Sequence, residues 1–250
     1  MEIQNYELYV QRMEKSMVDK LWFAKKIPSE VGGFVDFGCA DGAMLSHIHI
    51  LFPEAKLYGI DANEHMIEQA RRKCPFAEFH HRFFNGIPED SVLVLSSVIH
   101  EVFSYGDSNS VSAFWDYVFN TGFRYVAIRD LMVSNFSLRP AEVPLIESIE
   151  KYGNKQQLKD YTDIWGDISL QKDAIHFLLK YKYVENWDRE VRENYFPITL
   201  EHLLNLTPCK YKINFLHHYI LPYTKNMIQK DFCTSFPDNT HVKLLLGKCP

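Results

Sequence analysis

The feature that most constrains this chain is the stretch Val35-Asp36-Phe37-Gly38-Cys39-Ala40-Asp41-Gly42, followed by Ala43-Met44-Leu45. Apolar residues on both sides of Asp36 (Phe34, Val35, Phe37) predict a short buried strand, and Gly38 and Gly42 punctuate it. From Met44 to Phe52 the pattern continues as an amphipathic helix. A strand, glycine turn and helix in succession aim backbone N–H groups and a helix N-terminus at one point, the arrangement that receives a nucleotide-like ligand. A second strand, Lys56-Leu57-Tyr58-Gly59-Ile60, ends in Asp61, 19 residues beyond Gly42. A ribose-binding carboxylate is expected roughly 20 residues after such a turn.

Asp36-x-Gly38-x-Ala40-x-Gly42 with Tyr58-Gly59-Ile60-Asp61 resembles the cofactor half of class I, Rossmann-like S-adenosylmethionine-dependent methyltransferases, over roughly residues 30–130. That family opens its site with an acid two places before the first glycine, and Asp36 fills the position. A dinucleotide dehydrogenase usually has glycine there. Ala40 stands where the middle glycine is usual. The resemblance implies S-adenosyl-L-methionine as cofactor, held by Asp36, Gly38, Cys39, Ala40, Gly42, Asp61, Ala62, Met66, Phe83 and Ser97. Gly38 lets the backbone approach the methionine moiety, and Asp36 faces its ammonium directly or through water. Asp61 accepts from both ribose hydroxyls, as a carboxylate does better than a neutral group. Ala62 and Met66 flank the adenine, with Phe83 or Phe84 on its other face. The competing readings are a helix N-cap for Asp61 and ordinary core packing for the two phenylalanines.

From Phe34 onward strands and helices alternate: strands at 34–38, 56–60, 77–81, 92–96 and 125–128, helices at 43–52, 63–73 and 110–121. Val92-Leu93-Val94-Leu95 is a continuous apolar run, as in a central strand covered on both faces. Such alternation predicts an α/β fold, a doubly wound, mostly parallel sheet with right-handed crossovers. Residues 139–205 read as helical and polar-aromatic, an insertion over the carboxyl ends of the strands. Strands at 211–216 and 241–248 close the sheet. Seven strands are expected in all, with an antiparallel edge strand and the helical insertion before the last two. The expected organisation is an N-terminal helical segment (1–28), a cofactor-binding core (29–135), a helical cap (136–205) and closing strands (206–250). The leading segment carries Tyr6, Tyr9, Val10, Met13, Met17, Leu21 and Phe23 at near-helical spacing over 5–26. It lies over the cofactor mouth in the resembling family; alternatively, it covers a sheet edge.

Open α/β sheets bind ligands beyond the carboxyl ends of their strands. That rule selects Arg82-Phe83-Phe84, then Ser97, His100 and Glu101, then Arg129 and Asp130. His100 and Glu101 interrupt an apolar stretch, and buried polar groups are costly unless hydrogen-bonded or useful. His100, Glu101 and Arg129 are therefore the candidate catalytic residues, with His100 as a general base titrating near neutrality or as a group orienting the acceptor. The alternative is a structural tie to Arg129 or Asp130. Tyr105 is a candidate ring face for the sulfonium charge. In the insertion, His176, Arg189, Glu190, Glu193 and Tyr195 are polar at helical spacing; Glu190 and Glu193 read first as a solvated face. His217 and His218 alternate at a strand end, and with no third ligand placed by spacing no metal site is expected.

Composition narrows the partners. Net charge is -5 and no run of Lys or Arg forms a basic patch, so nucleic acid is not favoured and a small-molecule acceptor is expected. Five scattered cysteines lack a C-x-x-C pair, arguing against a disulfide framework. The start lacks a basic region followed by an apolar core, and no run reaches transmembrane length; a cytoplasmic protein without a membrane partner is expected. Methyl transfer needs chiefly positioning, and a base only for a hydroxyl or protonated amine. The leading expectation is thus methyl transfer to an O or N acceptor. The alternatives are an inactive cofactor-binding or regulatory module, a methyltransferase acting on RNA or protein, and a nicotinamide oxidoreductase, against which Asp36 argues.

Overall fold

The computed structural model describes residues 17–249. Seven strands form one mixed sheet in the order β3-β2-β1-β4-β5-β7-β6. They are β1 (Gly33–Phe37), β2 (Lys56–Ile60), β3 (Glu78–His80), β4 (Ser91–Ser96), β5 (Tyr125–Leu131), β6 (Tyr211–Tyr219) and β7 (His241–Lys248). The first five are parallel, and β7 runs against both neighbours, so antiparallel pairing falls at the expected edge. The chain winds outward from β1 to β3, then returns to the other side of β1 as β4. The crevice at this reversal, beyond β1 and β4, is where such sheets take ligands.

Period-two alternation sorts the strands' side chains into two layers. Phe34, Val92 and Val94 pack with Leu45, Ile48 and Ile67 from α2 (Ala43–Leu51) and α3 (Glu64–Lys73). Val35, Leu93 and Val126 pack with Ile99 of α4 (Ile99–Tyr105) and with Phe114 and Val118 of α5 (Ser108–Asn120). α4 was not foreseen: Ser96 to Tyr105 reads as a strand mouth, but the chain coils at once because Val98 and Ile99 must both be buried. β5 also runs further than expected and takes Arg129 and Asp130 into the strand.

The insertion is helical as expected, with α6 (Val143–Tyr152), α7 (Lys155–Trp165), α8 (Gln171–Lys180), α9 (Trp187–Glu190) and α10 (Leu200–Leu206). Leu145, Ile149, Tyr161, Phe177 and Leu178 form a core of its own. An unforeseen α11 (Pro222–Phe232), between the last two strands, adds Ile228 and Phe232 to that core. Residues 5–16 of the leading helix lie outside the described residues. Its remainder is α1 (Met17–Lys20) and a 3₁₀ turn, Trp22–Lys25. Phe23 packs on Phe34 of β1 at 6.2 Å and Trp22 on Phe215 of β6 at 5.3 Å, so this segment covers the α2–α3 face of the sheet as well as its β6 edge. Among the described residues no helix is long and apolar enough to cross a membrane.

Candidate active site

The glycine turn is built by three left-handed residues, Gly38 (φ 78°), Ala40 (φ 46°) and Gly42 (φ 77°). A Cβ on Gly38 would stand 2.7 Å from Val98 Cγ2, so only glycine brings the backbone this close. Ala40 adopts the conformation without glycine's freedom, at a cost of roughly 1 kcal/mol. The turn is pinned to β2, because Gly38 and Cys39 donate to Ile60 O at 2.8 and 3.0 Å. Asp61 completes the pinning: Oδ2 accepts from Ala40 N at 2.9 Å and Oδ1 from Asn63 N at 2.8 Å. The helix cap itself belongs to Asn63, whose side chain accepts from His65 and Met66 N. Asp61 is therefore not the N-cap, and each carboxylate oxygen retains a second lone pair for a hydroxyl donor.

Asp36 is 1% exposed, and among the described residues neither carboxylate oxygen has a hydrogen-bond partner. Burial, opposed by the nearby Lys20 ammonium, pushes its carboxyl up to about 7. A buried carboxylate without a donor costs several kcal/mol, so this one is built for a cation that the fold does not itself supply. The residues thus fit the methionine and ribose ends of S-adenosylmethionine: an orphaned acid, a turn only glycine can make, and an acid with spare lone pairs. Cys39 is buried in the turn, Met66 is buried under it, and Ala62 is exposed beside Asp61. Phe83 stacks on Phe37 (5.6 Å) and Tyr117 (4.5 Å) and keeps an exposed side; Phe84 instead stacks on His80 at 3.8 Å.

Across the reversal, Ser97 is also left-handed (φ 58°) and is gripped by Arg129, its N–H on Arg129 O and its hydroxyl accepting from Nη1, both at 2.7 Å. Arg129 Nε donates to Asp19 of α1 at 2.7 Å. The guanidinium is thus committed on both sides. His100 and Asp130 form a buried pair, Nδ1 to Oδ1 at 2.6 Å, while the other Asp130 oxygen accepts from Val98 and Ile99 N at 2.9 and 2.7 Å. Burial opposes charge on His100, but the Asp130 carboxylate and its hydrogen bond outweigh it and raise the imidazole to about 9. The expectation of a group titrating near neutrality is corrected accordingly. Nε2 makes no hydrogen bond among the described residues and is not sealed from solvent.

The cap meets α4 through charge. Arg189 donates from Nη2 to Glu101 Oε1 at 3.2 Å and from Nε to Glu193 Oε1 at 2.8 Å, and Tyr105 OH donates to the same Glu193 oxygen at 2.7 Å. Burial pushes Glu101 upward, against the neighbouring His100 charge. Glu193 is 2% exposed and His176 is buried, so the expectation of a solvated face fails: the helix ends at Glu190, and the chain then folds back beneath α8. Lys180, fully buried, holds that return by donating to Glu190 O and Glu193 O, with its ammonium 3.9 Å from the Tyr195 ring centre. Burial lowers Lys180 to about 7. The Tyr195 ring in turn meets His100 edge-on at 5.6 Å. Tyr105, spent on Glu193, sits at the last turn of α4. His217 and His218 lie inside β6, not at its end; His217 stacks on Tyr219, and His218 Nε2 lies 3.1 Å from Met132 O. Lys20, Asp19 and Lys180 escaped the sequence reading, because a lysine or aspartate in a helical pattern carries no sign of what lies opposite it.

Residues 34–115 match the family model of a methyltransferase domain. No curated protein matches the chain. Among solved structures, the fold is similar to that of the plantazolicin methyltransferase BpumL, solved with a pentazolic desmethylPZN analog and SAH, at 12% identity over 96% of this chain and 85% of that one (TM-score 0.51). It is also similar to PKMT2 from Rickettsia typhi with AdoHcy (13% identity, 90% of this chain, 50% of that one, TM-score 0.51). A third is the mitomycin 7-O-methyltransferase MmcR (13% identity, 97% of this chain, 57% of that one, TM-score 0.50). At these identities the likeness is one of fold. Joined to the acidic glycine turn, the family match identifies residues 34–115 as a methyltransferase domain with S-adenosylmethionine as its cofactor.

Proposed function

We propose that this methyltransferase acts on an oxygen or nitrogen of a small molecule or short peptide-derived compound, with His100 meeting the acceptor. When bound, S-adenosylmethionine supplies the electrophilic methyl group. Asp36, the Gly38–Gly42 turn, Asp61, Ala62, Met66, Phe83 and Ser97 hold it. The observation that carries the acceptor reading is the His100–Asp130 pair, whose Nε2 is left without a partner at the crevice between α4, the glycine turn and the cap. Asp130 fixes the imidazole so that this nitrogen points one way, the logic of a carboxylate-oriented histidine. Below about pH 9 the pair holds a proton, so His100 donates to an acceptor oxygen, and above it accepts the acceptor's proton. Glu101 orients the acceptor beside it, and Arg129 is a positioning residue acting through Ser97. We assign acceptor selectivity to residues 136–205, which line the crevice through Arg189 and Tyr195. A small-molecule acceptor is supported by the net charge of -5 and by the mitomycin methyltransferase among the structures of similar fold. A cytoplasmic setting is part of this reading, on the strength of five free cysteines.

The test is incubation with methyl-labelled cofactor and a metabolite extract, a protein fraction and RNA in parallel. Label in a small molecule supports the reading, and label in protein or RNA alone redirects it. No transfer to any fraction by a protein that binds the cofactor favours the inactive module.

A further inference from the structure

Two opposite charges lie within each other's field at the crevice and form no ion pair among the described residues. Asp36 is one, buried and partnerless. The other is Lys20, the last residue of α1, half-buried, with no hydrogen bond or ion pair among the described residues. Lys20 lies within the fields of Asp36, Asp41, Glu101 and Arg129, and is the foremost charge acting on Asp36. Its place is not accidental. The preceding residue, Asp19, is gripped by three strands: Arg129 Nε of β5 at 2.7 Å, Tyr219 OH of β6 at 3.0 Å, and the ammonium of Lys243 of β7. That grip sets α1 at the end of the sheet where β5 and β6 terminate, and places Lys20 within the fields of Asp36 and Asp41 at the glycine turn.

The amino-acid end of the cofactor is a zwitterion, an ammonium and a carboxylate on one carbon. Asp36, Asp41 and Glu101 around this end would repel the carboxylate, so a cation must offset them. Of the other cations nearby, Arg129 is committed to Asp19 and Ser97 and Lys73 to Asp41 at 2.9 Å, while Arg72, beside Asp41, is exposed on the outer side of α3. We propose that Lys20 holds the carboxylate of the cofactor's amino-acid end while Asp36 takes its ammonium. This rests on the S-adenosylmethionine reading and adds to it a residue outside the glycine-turn motif. It also explains why two opposite charges in a poorly solvated cleft stay apart, since each is reserved for one half of the same ligand.

The experiment is calorimetry on the full chain with three thioethers: S-adenosylhomocysteine, its decarboxylated analogue, which keeps the amine, and 5′-methylthioadenosine, which has neither group. Lys20→Met is expected to weaken S-adenosylhomocysteine by about ten- to a hundred-fold, the loss of one charge-assisted bond, and to leave the other two within about two-fold. Lys20→Arg is expected to restore most of the loss. Unchanged affinity for S-adenosylhomocysteine in Lys20→Met overturns the proposal, as does an equal weakening of all three, which would mean that α1 merely covers the site. Binding of 5′-methylthioadenosine certifies that the variant is folded. Wild type that binds none of the three overturns the cofactor reading itself, and the proposal with it.

Discussion

Asp36, inside β1, and Asp61, just beyond β2, both border the crevice, yet the fold treats them oppositely. Asp61 is tied to two backbone N–H groups, whereas Asp36 has no donor. Asp61→Ala is expected to abolish S-adenosylhomocysteine binding in calorimetry, because the ribose loses its acceptor and Ala40 N loses its anchor. Asp36 behaves differently with pH. Its carboxyl in the fold sits near 7, above the ordinary 3.8, so the folded state holds a proton that the unfolded chain gives up. Stability therefore declines as pH rises from about 3.8 to 7. Asp36→Asn is expected to stabilise the cofactor-free protein at pH 8 by about 1–2 kcal/mol in urea unfolding while weakening cofactor binding. His100 has the same sign of slope in a higher pH window, because there it is the charged form that the fold favours. Its value near 9 exceeds the ordinary 6.5, so the stabilisation from its pairing with Asp130 is full below about pH 6.5 and is lost as pH rises through 9. An NMR titration of His100 is expected near 9, and Asp130→Asn should lower it, since only the fields of Glu101 and Glu193 then oppose burial. His100→Ala is expected to spare cofactor binding and slow transfer; wild-type turnover would reduce His100 to a structural role.

At the scale of elements, the junction between α4 and the cap is a buried polar network centred on Arg189. Its guanidinium serves Glu193 and Glu101, and Tyr105 joins at the same carboxylate oxygen. Removing one partner of a buried pair leaves the other charge desolvated, which costs more than the pair was worth. Arg189→Ala is expected to lower stability by about 2–4 kcal/mol in denaturant unfolding, and Glu101→Ala by less, because Glu101 is only half-buried, with a side chain 36% accessible against 18% for Arg189. Legibility follows the same division. Helices with an apolar stripe, such as α3 and α5, were readable from spacing. The short α4 was not: seven residues give too few turns for a period, and its caps carry no side-chain bond at Val98.

For the molecule as a whole, the unusual feature is that the N-terminal segment ties the far edge of the sheet to the ligand crevice. One carboxylate, Asp19, gathers β5, β6 and β7, and its neighbour Lys20 faces the glycine turn on β1. Asp19→Ala is expected to lower the melting temperature by several degrees and to speed amide exchange in residues 17–25, an effect that S-adenosylhomocysteine should partly reverse in the wild-type protein. If exchange in 17–25 is unchanged by the substitution, the segment is held by Phe23 and Trp22 alone.

The amino-acid sequence by itself determined the alternation of strands and helices, the sheet they build and the cofactor turn. Those are local properties: period-two and period-3.6 hydrophobicity, glycines at fixed offsets, and a carboxylate near the end of each of two strands. Tertiary structure alone decided that Asp36 would stand without a donor, that Asp130 rather than Arg129 would take His100, and that Glu193 would be buried under the cap. It also brought Asp19 and Lys20 to the crevice, with Asp19 bonded 110 residues away to Arg129 and 224 residues away to Lys243. Burial and opposite charge across such separations depend on which elements pack together, and no spacing along the chain encodes that.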